Sequence, residues 1–238
     1  METLKAKNVL LVGATGGIGS STAKLLSGSG ANLFLAVSNK DKLALLADDL
    51  KLSDDKFFAV DISQPEEVRF LKERFFAVYP SIDIIIIASG LGIIKPLEEL
   101  SEEEFLRSIY FNLFGPFLLM KAFLPQMKEA KKGLIINIPG VLGKVPMAGA
   151  SAYSASKYGL VGMMQSIREE VKRTEIRISN LFIGGVDTSF WDTINLRVQR
   201  DKMIIAEEAA KSIWFLCQQP TSAVLSEMVI QPFNHQAI

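Results

Sequence analysis

Short, continuous apolar runs alternate along this chain with longer segments in which apolar residues recur at the helical period. Continuous apolar runs are typical of strands that are buried on both faces of a parallel sheet. The pattern predicts seven strands, at Asn8–Val12, Leu33–Val37, Phe57–Val60, Ile84–Ala88, Leu134–Ile138, Ile176–Phe182 and Met228–Ile230. It predicts helices at Ile18–Ser27, Lys40–Leu50, Pro65–Val78, Glu102–Lys128, Ala152–Arg173 and Ala206–Gln218. This alternation indicates an α/β fold that is built from βαβ units around a parallel sheet.

The whole chain follows this one pattern. Residues 1–238 contain no internal repeat, low-complexity tract or linker, so we expect a single domain. The pattern is weak over Asp187–Ile204, where we expect a mobile loop that carries a short helix.

The composition excludes several classes of function. With 26 Lys and Arg against 26 Asp and Glu, the chain has no basic surplus, and we expect no nucleic-acid partner. The single Cys217 and the single His235 argue against a disulfide framework, a metal site and a Ser-His-Asp triad. The N-terminus lacks a secretory signal, and no uncharged run reaches the roughly 18 residues of a membrane span. We therefore expect a cytoplasmic protein without membrane attachment.

A glycine-rich turn joins the first predicted strand to the first predicted helix. In Gly13-Ala-Thr-Gly-Gly-Ile-Gly19, Gly13 is suited to a tight turn and Gly19 to close packing of the helix on the sheet. Gly17 leaves room for a pyrophosphate, which the helix N-terminus attracts through its free N–H groups and its dipole. A flexible turn without a ligand is the alternative, and the flanking strand and helix favour a dinucleotide site.

The end of the second strand bears on the choice of dinucleotide. NAD-binding proteins place an acidic residue there, whereas NADP-binding proteins need positive charge. Here the strand is followed by Ser38, Asn39 and Lys40, and no acidic residue occurs before Asp41. This favours NADP(H) over NAD(H), although an exposed lysine at a helix start is common, and both cofactors remain open.

A tyrosine and a lysine lie one helical turn apart in Tyr153-Ser-Ala-Ser-Lys157. An ammonium group so close favours phenolate, so we expect the Tyr153 pKa to fall from about 10 toward neutral pH. Tyr153 is then a candidate general acid and base at a carbonyl or alcohol. Many surface helices contain such a pair, and the motif gains weight through the glycine turn. We expect Ser156 to pack against the sheet.

Taken together, these motifs resemble the single-domain short-chain dehydrogenases/reductases over almost the whole chain. The resemblance implies a doubly wound, seven-stranded parallel sheet with helices on both faces. It implies that Tyr153 and Lys157 form the active pair and that Asn112 holds a water beside the lysine. It implies that Asp61 contacts the adenine and that the loop from Gly184 to Thr188 binds the nicotinamide carboxamide. The cofactor residues that it implies are Gly13, Thr15, Gly16, Gly17, Ile18, Gly19, Ser38, Asn39, Lys40, Asp61, Ile62, Ala88, Ser89, Gly90, Tyr153, Lys157, Gly184, Val186 and Thr188.

The chain departs from the family pattern at the active site. The family usually carries a serine 13 positions before the tyrosine, where this chain has Gly140. Loss of such a hydrogen-bond donor lowers enzyme rates by about 10²–10³. Val12 and Ala88 replace two polar residues that contact each other in the family, which is a compensated exchange. Ile183 replaces a proline, so the nicotinamide loop is expected to be less rigid.

The segments expected to border the nicotinamide are apolar. They are Leu91–Ile94, Val141–Leu142, Met147 and Phe190–Trp191. They suggest a small lipophilic carbonyl or alcohol substrate, with simple closure of the core as the alternative. Ala155, Gly159 and Gly162 form a stripe of small residues that permits close approach, either to the sheet or to a partner helix. The resemblance implies a homodimer or homotetramer.

Two functions are consistent with these residues. The first is an NAD(P)(H)-dependent oxidoreductase in which Tyr153 transfers the proton, Lys157 lowers its pKa, and Asn112 anchors a water. The second is a catalytically weak dinucleotide-binding sensor or scaffold subunit with the same fold. Gly140 favours the second function, whereas Tyr153, Lys157 and Asn112 favour the first.

Overall fold

The structure, a computed structural model, describes residues 1–234, and the single histidine, His235, lies outside the described residues. Its strands are β1 (Asn8–Val12), β2 (Asn32–Val37), β3 (Phe57–Ala59), β4 (Ile84–Ile87), β5 (Lys132–Asn137), β6 (Glu175–Ile183), β7 (Val186–Asp187), β8 (Ile204–Ile205) and β9 (Glu227–Ile230). Its α-helices are α1 (Gly17–Gly28), α2 (Lys40–Asp49), α3 (Pro65–Val78), α4 (Glu102–Ile109), α5 (Gly115–Ala130), α6 (Ser151–Val171) and α7 (Ala206–Cys217).

Seven of the strands form one parallel sheet in the order β3-β2-β1-β4-β5-β6-β9. The direction of strand addition reverses between β1 and β4. At such a switch point the loops leave in opposite directions, and a crevice opens at the carboxyl ends of the strands. The predicted doubly wound seven-stranded sheet is confirmed, and all seven predicted strands are present within two residues of their predicted ends.

The core has two layers because the strands are apolar on both faces. Leu10 and Val12 of β1 face a cluster that includes residues of α3, α5 and α6. Val9 and Leu11 face the opposite cluster, which includes residues of α1, α2 and α7. This arrangement explains why the strands have continuous apolar sequences and not sequences in which apolar and polar residues alternate. Among the described helices, none is long and apolar enough to cross a bilayer.

The predicted helix at Glu102–Lys128 is interrupted. A π-helical turn at Tyr110–Phe114 separates α4 from α5. Pro116 in the first turn of α5 has no N–H to donate to the carbonyl of Asn112, which removes one α-helical hydrogen bond at this point. Single π-helical turns occur often at functional sites. This one contains Asn112.

The stripe of small residues on α6 has an internal role at one position. A Cβ atom on Gly159 would lie 2.9 Å from Leu113 Cδ2, so the missing side chain lets α6 approach the π-helical turn of the same chain. A Cβ atom on Gly162 would meet nothing within 4 Å. Gly159 therefore serves packing within the chain, and Gly162 lies on the open side of the helix.

Candidate active site

The glycine turn brings β1, β4 and α1 into close contact. Gly13 has φ +84°, and a Cβ atom there would lie 2.5 Å from the Ser89 amide nitrogen at the end of β4. A Cβ atom on Gly19 would lie 2.1 Å from the Gly13 carbonyl oxygen. Both distances are far below van der Waals contact, so neither position accommodates a side chain. The tight turn and the close helix packing that the sequence predicts for these two glycines are present.

Gly17 faces a side chain from elsewhere in the chain. A Cβ atom on Gly17 would lie 2.3 Å from Thr188 Cγ2. Thr188 follows β7 and caps the next short helix, because its hydroxyl accepts a hydrogen bond from the Phe190 amide at 3.4 Å. The lack of a side chain at Gly17 therefore lets Thr188 lie directly on the glycine turn.

The first turn of α1 is free to bind an anion. Its N-cap, Gly16, contributes no side-chain hydrogen bond, and the first turn contains no acidic residue. The terminal N–H groups of a helix carry a partial positive charge and need an acceptor. An anionic group such as a pyrophosphate supplies that acceptor, so the residues present are suited to a dinucleotide.

Three polar side chains converge beside Gly90. A Cβ atom built on Gly90 would lie 3.4 Å from Lys157 Nζ, 3.9 Å from Asn112 Oδ1 and 4.0 Å from Tyr153 Oη. Tyr153 and Lys157 come from α6, Asn112 comes from the π-helical turn, and Gly90 follows β4. The structure thus brings together the three polar residues that the sequence analysis selected as catalytic candidates.

Asn112 is held by a buried network of hydrogen bonds. Its Oδ1 accepts from the Leu91 amide at 2.8 Å, and its Nδ2 donates to the Leu91 carbonyl at 2.9 Å. The same Nδ2 also lies 3.2 Å from Ser108 Oγ and 3.1 Å from Ser156 Oγ. The sequence predicts that Ser156 packs against the sheet, whereas its hydroxyl lies against Ser108 and Asn112 and donates to the Tyr153 carbonyl of its own helix at 2.7 Å. The sequence analysis missed Ser108, although it precedes Asn112 by one helical turn.

Burial controls the acidity of the tyrosine and the lysine. Removal from water raises the pKa of the Tyr153 phenol well above 10, because the phenolate would lose its hydration. The same effect lowers the pKa of the Lys157 ammonium from 10.5 to about 8. Lys157 Nζ lies 5.5 Å from the centroid of the Tyr153 ring. The expectation of a lowered tyrosine pKa is therefore wrong for the chain without ligand, since desolvation outweighs the attraction of the ammonium.

Gly140 has a backbone conformation that glycine adopts readily. Its φ is +72° and its ψ is 171°, and a 3₁₀ turn at Val141–Gly143 follows. A Cβ atom there would have one neighbour within 4 Å, the Ile183 carbonyl oxygen at 3.5 Å. A serine at this position would therefore strain the backbone, and its side chain would start toward the end of β6.

The segment from Asp187 to Ile205, called the lid below, covers the active-site tyrosine. The Phe190 ring lies 6.0 Å from the Tyr153 ring and 5.2 Å from the Trp191 ring, measured between centroids. A Cβ atom on Gly92 would lie 2.3 Å from Phe190 Cζ, so the ring is seated on Gly92. The predicted short helix of this loop is present as two 3₁₀ turns, at Ser189–Thr193 and Arg200–Lys202.

Arg200 ties the two halves of the lid together. Its guanidinium donates to Asp187 Oδ1 at 2.5 Å, to Asp192 Oδ1 at 2.7 Å and to the Thr188 carbonyl at 2.9 Å. The Trp191 indole N–H donates to the Val186 carbonyl at 2.9 Å. These bonds hold the first turn of the lid in place over the glycine turn.

A cleft of about 990 Å³ runs from the glycine turn to the lid. The predicted residues that line it are Gly16, Gly17, Ile18, Gly19, Ala88, Ser89, Gly90, Ile94, Gly140, Val141, Leu142, Met147, Tyr153, Lys157, Gly184, Val186, Thr188, Phe190 and Trp191. The lining residues that sequence analysis missed include Ile138, Ile183, Leu196, Arg197, Gln199 and Lys202. The missed residues lie mostly in the lid, where no periodic pattern marks them. None of the described lining residues is Asp or Glu.

Several predicted cofactor residues lie outside this cleft. Asn39 accepts a hydrogen bond from the Lys42 amide and caps α2, and the Asp61 carboxylate accepts from the amide and hydroxyl of Ser63. The Ile62 side chain lies in the core, where a Cβ atom on Gly115 would touch it, so only its backbone can face a ligand. The other predicted cofactor residues outside the cleft lining are Gly13, Thr15, Ser38 and Lys40, and the other predicted site residues outside it are Asn112, Leu91, Gly92 and Ile93. No group of His, Cys, Asp and Glu within residues 1–234 is arranged to hold a metal ion.

Comparison with known proteins yields one family. Residues 7–199 match the family model described as short chain dehydrogenase. An uncharacterised oxidoreductase of Staphylococcus saprophyticus is 29% identical, and the match covers 98% of each chain. A second uncharacterised oxidoreductase, from Staphylococcus aureus strain MRSA252, is 28% identical over 98% of this chain and 100% of its own length.

Solved structures with the same fold include proteins in complex with NADP and an NADP derivative. An alcohol dehydrogenase from the archaeon Thermococcus sibiricus, complexed with 5-hydroxy-NADP, has a TM-score of 0.89 at 25% identity and covers 98% of this chain and 100% of its own. A metagenomic short-chain oxidoreductase in complex with NADP has a TM-score of 0.83 at 28% identity, with coverage of 97% and 99%.

Proposed function

Because this chain belongs to the short chain dehydrogenase family, we propose that it is an NADP(H)-dependent oxidoreductase that interconverts small lipophilic carbonyls and alcohols. The observation that carries the proposal is the convergence of Tyr153 Oη, Lys157 Nζ and Asn112 Oδ1 beside Gly90, with Gly90, Tyr153 and Lys157 lining a cleft that begins at the glycine turn. The proposal treats cofactor binding and catalysis as functions of one domain over residues 1–238.

The cofactor proposal rests on the turn and on the end of β2. The uncapped first turn of α1 is suited to the pyrophosphate. The exposed residues Ser38, Asn39 and Lys40 follow β2 without an acidic residue, which favours a 2′-phosphate over free ribose hydroxyls. The NADP complexes of the two solved relatives are consistent with this choice. NAD(H) is the alternative cofactor.

In the proposed reaction, the side chains of this protein transfer a proton and stabilise the phenolate that remains. When bound, the nicotinamide supplies or accepts the hydride. The raised pKa keeps Tyr153 protonated at neutral pH, so its hydroxyl can give a proton to the oxygen of a carbonyl undergoing reduction. Lys157 is charged below its pKa of about 8 and stabilises the phenolate that remains. Asn112 holds the Leu91 backbone through two hydrogen bonds, and Leu91 lies in the loop that follows β4, next to the reacting groups.

The apolar walls define the proposed substrate class. Ile94, Leu142, Phe190 and Trp191 pack together near Tyr153. A carbonyl compound with an apolar body buries that surface against these walls and exposes its oxygen to the hydroxyl. Displacement of the Phe190 ring from Gly92 opens the space that the substrate needs, and return of the lid excludes water.

Gly140 supports a second candidate function. The serine that usually donates a hydrogen bond to the substrate oxygen is absent, and the φ of +72° disfavours any side chain in its place. A dinucleotide-binding sensor or scaffold subunit with weak turnover is consistent with this feature. The two candidates differ in turnover and share cofactor binding.

We further propose that copies of the chain associate through the outer faces of α5 and α6. A groove of about 590 Å³ between these helices is lined by Phe117, Met120, Leu124, Met163 and Ile167 together with polar side chains. Apolar surface in such a groove, which includes the exposed Phe117, favours a homodimer or homotetramer. Light scattering is expected to give a dimer or tetramer mass, and a monomer mass at micromolar concentration contradicts the association.

The experiment that tests the proposed function measures binding and turnover together. Calorimetry with NADPH and NADH is expected to show binding of both, with NADPH tighter. A panel of aliphatic and aromatic carbonyls, followed by nicotinamide absorbance, is expected to reveal at least one substrate that is reduced. Binding without turnover on the whole panel favours the sensor, and absence of binding contradicts both candidates.

A further inference from the structure

The lid carries three basic side chains between Arg197 and Lys202, and they differ in their partners. Arg200 donates to Asp187, Asp192 and the Thr188 carbonyl. The side chains of Arg197 and Lys202 make no hydrogen bond or ion pair with any residue in the described part of the chain. Two cations of the lid are therefore free to bind an external anion.

Both free cations line the cleft. Besides Arg197 and Lys202, the one charged residue among the described lining residues is Lys157. No carboxylate balances them there, although the whole chain has equal numbers of acidic and basic residues. The cleft thus collects positive charge, and an anionic ligand gains electrostatic energy by entering it.

The backbone of the lid places Lys202 on the side of the cleft that carries Thr188, and Arg197 lines the same cleft as Gly16 to Gly19. Strand β8 pairs in parallel with β7, with Ile204 opposite Val186, and the Ile204 amide donates to the Gly185 carbonyl at 3.0 Å. Lys202 precedes Ile204 by two residues and so lies near the start of the loop that carries Thr188. Thr188 in turn rests on Gly17.

The glycine turn contains no cation of its own. Residues Gly13 to Gly19 are Gly, Ala, Thr and Ile only, so the turn offers N–H groups and a helix dipole but no cation. A helix N-terminus is equivalent to about half a unit charge. A pyrophosphate bridge carries two negative charges, so cations elsewhere in the same cleft add to the attraction that the turn provides.

We infer that Arg197 and Lys202 form an anion-binding site on the lid for the pyrophosphate of the dinucleotide, opposite the glycine turn. The inference rests on the proposed function, because it assigns a second face to the same cofactor site. Arg197 offers paired N–H donors that match phosphate oxygens, and Lys202 offers a point charge.

The test uses the variants Arg197→Gln and Lys202→Gln and their double variant. Titration calorimetry measures the dissociation constants of NADPH and NADH at low and at high salt. Each single change is expected to weaken both cofactors by about three- to tenfold, because each removes one charge-assisted contact in a partly exposed site. The double variant is expected to lose most of the salt dependence of NADH binding, because NADH has no 2′-phosphate for Lys40 to bind.

Two further variants serve as controls. Lys211→Gln removes an exposed cation of α7 that makes no ion pair with a described residue, and it is expected to change neither affinity. Lys40→Gln is expected to weaken NADPH alone, since NADH has no 2′-phosphate. Equal losses for NADPH and NADH in the lid variants therefore identify the pyrophosphate as the ligand.

Three results overturn the inference. Unchanged affinity for both cofactors in the double variant shows that the lid cations do not bind them. A loss confined to NADPH assigns the cations to the 2′-phosphate. Unchanged cofactor affinity with a raised KM only for carbonyls that carry a carboxylate assigns them to the substrate. If the unmodified protein binds neither dinucleotide, the proposed function fails first, and the two failures are distinguishable.

Discussion

Gly140 shows how one residue can alter the chemistry of a site without altering the fold. Its φ of +72° is a region in which residues other than glycine are strained. A side chain there would start 3.5 Å from the Ile183 carbonyl oxygen. A serine at this position would therefore border a backbone acceptor of β6, to which its hydroxyl can donate in place of the substrate oxygen.

Gly140→Ser and Gly140→Ala are expected to lower the free energy of unfolding equally, by about 1 kcal/mol or more, because both force a Cβ atom into a positive φ. For a chain of this size, 1 kcal/mol corresponds to a fall in Tm of about 2–4 °C. Turnover of Gly140→Ser is expected not to exceed that of Gly140→Ala. Thermal unfolding and assays on an accepted carbonyl measure both quantities. Higher turnover of the serine variant would show that its hydroxyl does reach the substrate.

Burial of the charged Lys157 side chain lowers the free energy of unfolding. Its side chain is 1% exposed, and burial lowers its pKa to about 8. Between this value and 10.5 the unfolded chain binds the proton that the folded chain has lost, so the free energy of unfolding rises with pH over that range. Below pH 8 the folded chain carries the full cost of a buried charge.

Lys157→Met is expected to raise the free energy of unfolding at pH 7, by at most roughly 3 kcal/mol, which is the equivalent of a pKa fall from 10.5 to about 8. The gain is expected to disappear near pH 10, and turnover is expected to be lost. Urea unfolding at the two pH values measures the gain. Lys211→Met, at an exposed position, serves as the control. A variant that is less stable than the parent at pH 7 contradicts the interpretation.

At the scale of elements, the π-helical turn between α4 and α5 is a feature that the apolar periodicity did not predict. The apolar pattern continues through Tyr110–Phe114, so the sequence predicts one helix where the structure has α4, the turn and α5. The relevant signal was Gly115-Pro116, because a proline inside a predicted helix removes a backbone hydrogen bond. The turn places Asn112 between Leu91, Ser108 and Ser156. This contact joins elements that are far apart in sequence, which periodicity does not report.

The lid was predicted as a loop with a short helix, and its contacts could not be predicted. Phe190 and Trp191 were selected from the sequence as apolar neighbours of the nicotinamide, and both line the cleft. Arg197 and Lys202 carry no such signal, because charged residues in a loop usually face solvent. The bonds of Arg200 to Asp187 and Asp192 depend on the path of the chain between them.

Arg200→Gln is expected to loosen the lid, because glutamine cannot hold both Asp187 and Asp192. The loosening is measured by acrylamide quenching of Trp191 fluorescence in a Trp214→Phe background, and quenching is expected to increase. Arg197→Gln, which removes a cation without removing an ion pair within the described residues, is the matched control and is expected to leave quenching unchanged. Equal quenching in Arg200→Gln and the parent would show that the ion pairs do not hold the lid.

At the scale of the whole molecule, the sequence predicts the sheet well because parallel strands are buried on both faces. The β1 and β4 runs, NVLLV and IIII, are apolar throughout and lie side by side in the sheet. Their carboxyl ends carry the glycine turn and Gly90, so the order of strands places the phosphate turn beside the reacting groups. The motifs predict which residues meet at this edge. They do not predict that desolvation of Tyr153 outweighs the attraction of the Lys157 ammonium, which is why the predicted direction of the Tyr153 pKa shift was wrong.

The central claim is that Tyr153 transfers the proton in a dinucleotide-dependent reaction, and Tyr153→Phe tests it most directly. The control is Tyr158→Phe on the same helix. The Tyr158 residue is 43% exposed, and its hydroxyl donates to the Lys144 carbonyl. Carbonyl reduction with NADPH is measured for both variants, and calorimetry measures their cofactor affinity. We predict that Tyr153→Phe binds NADPH normally and loses turnover by about 10²-fold or more, whereas Tyr158→Phe keeps both. Turnover that survives in Tyr153→Phe would contradict the account.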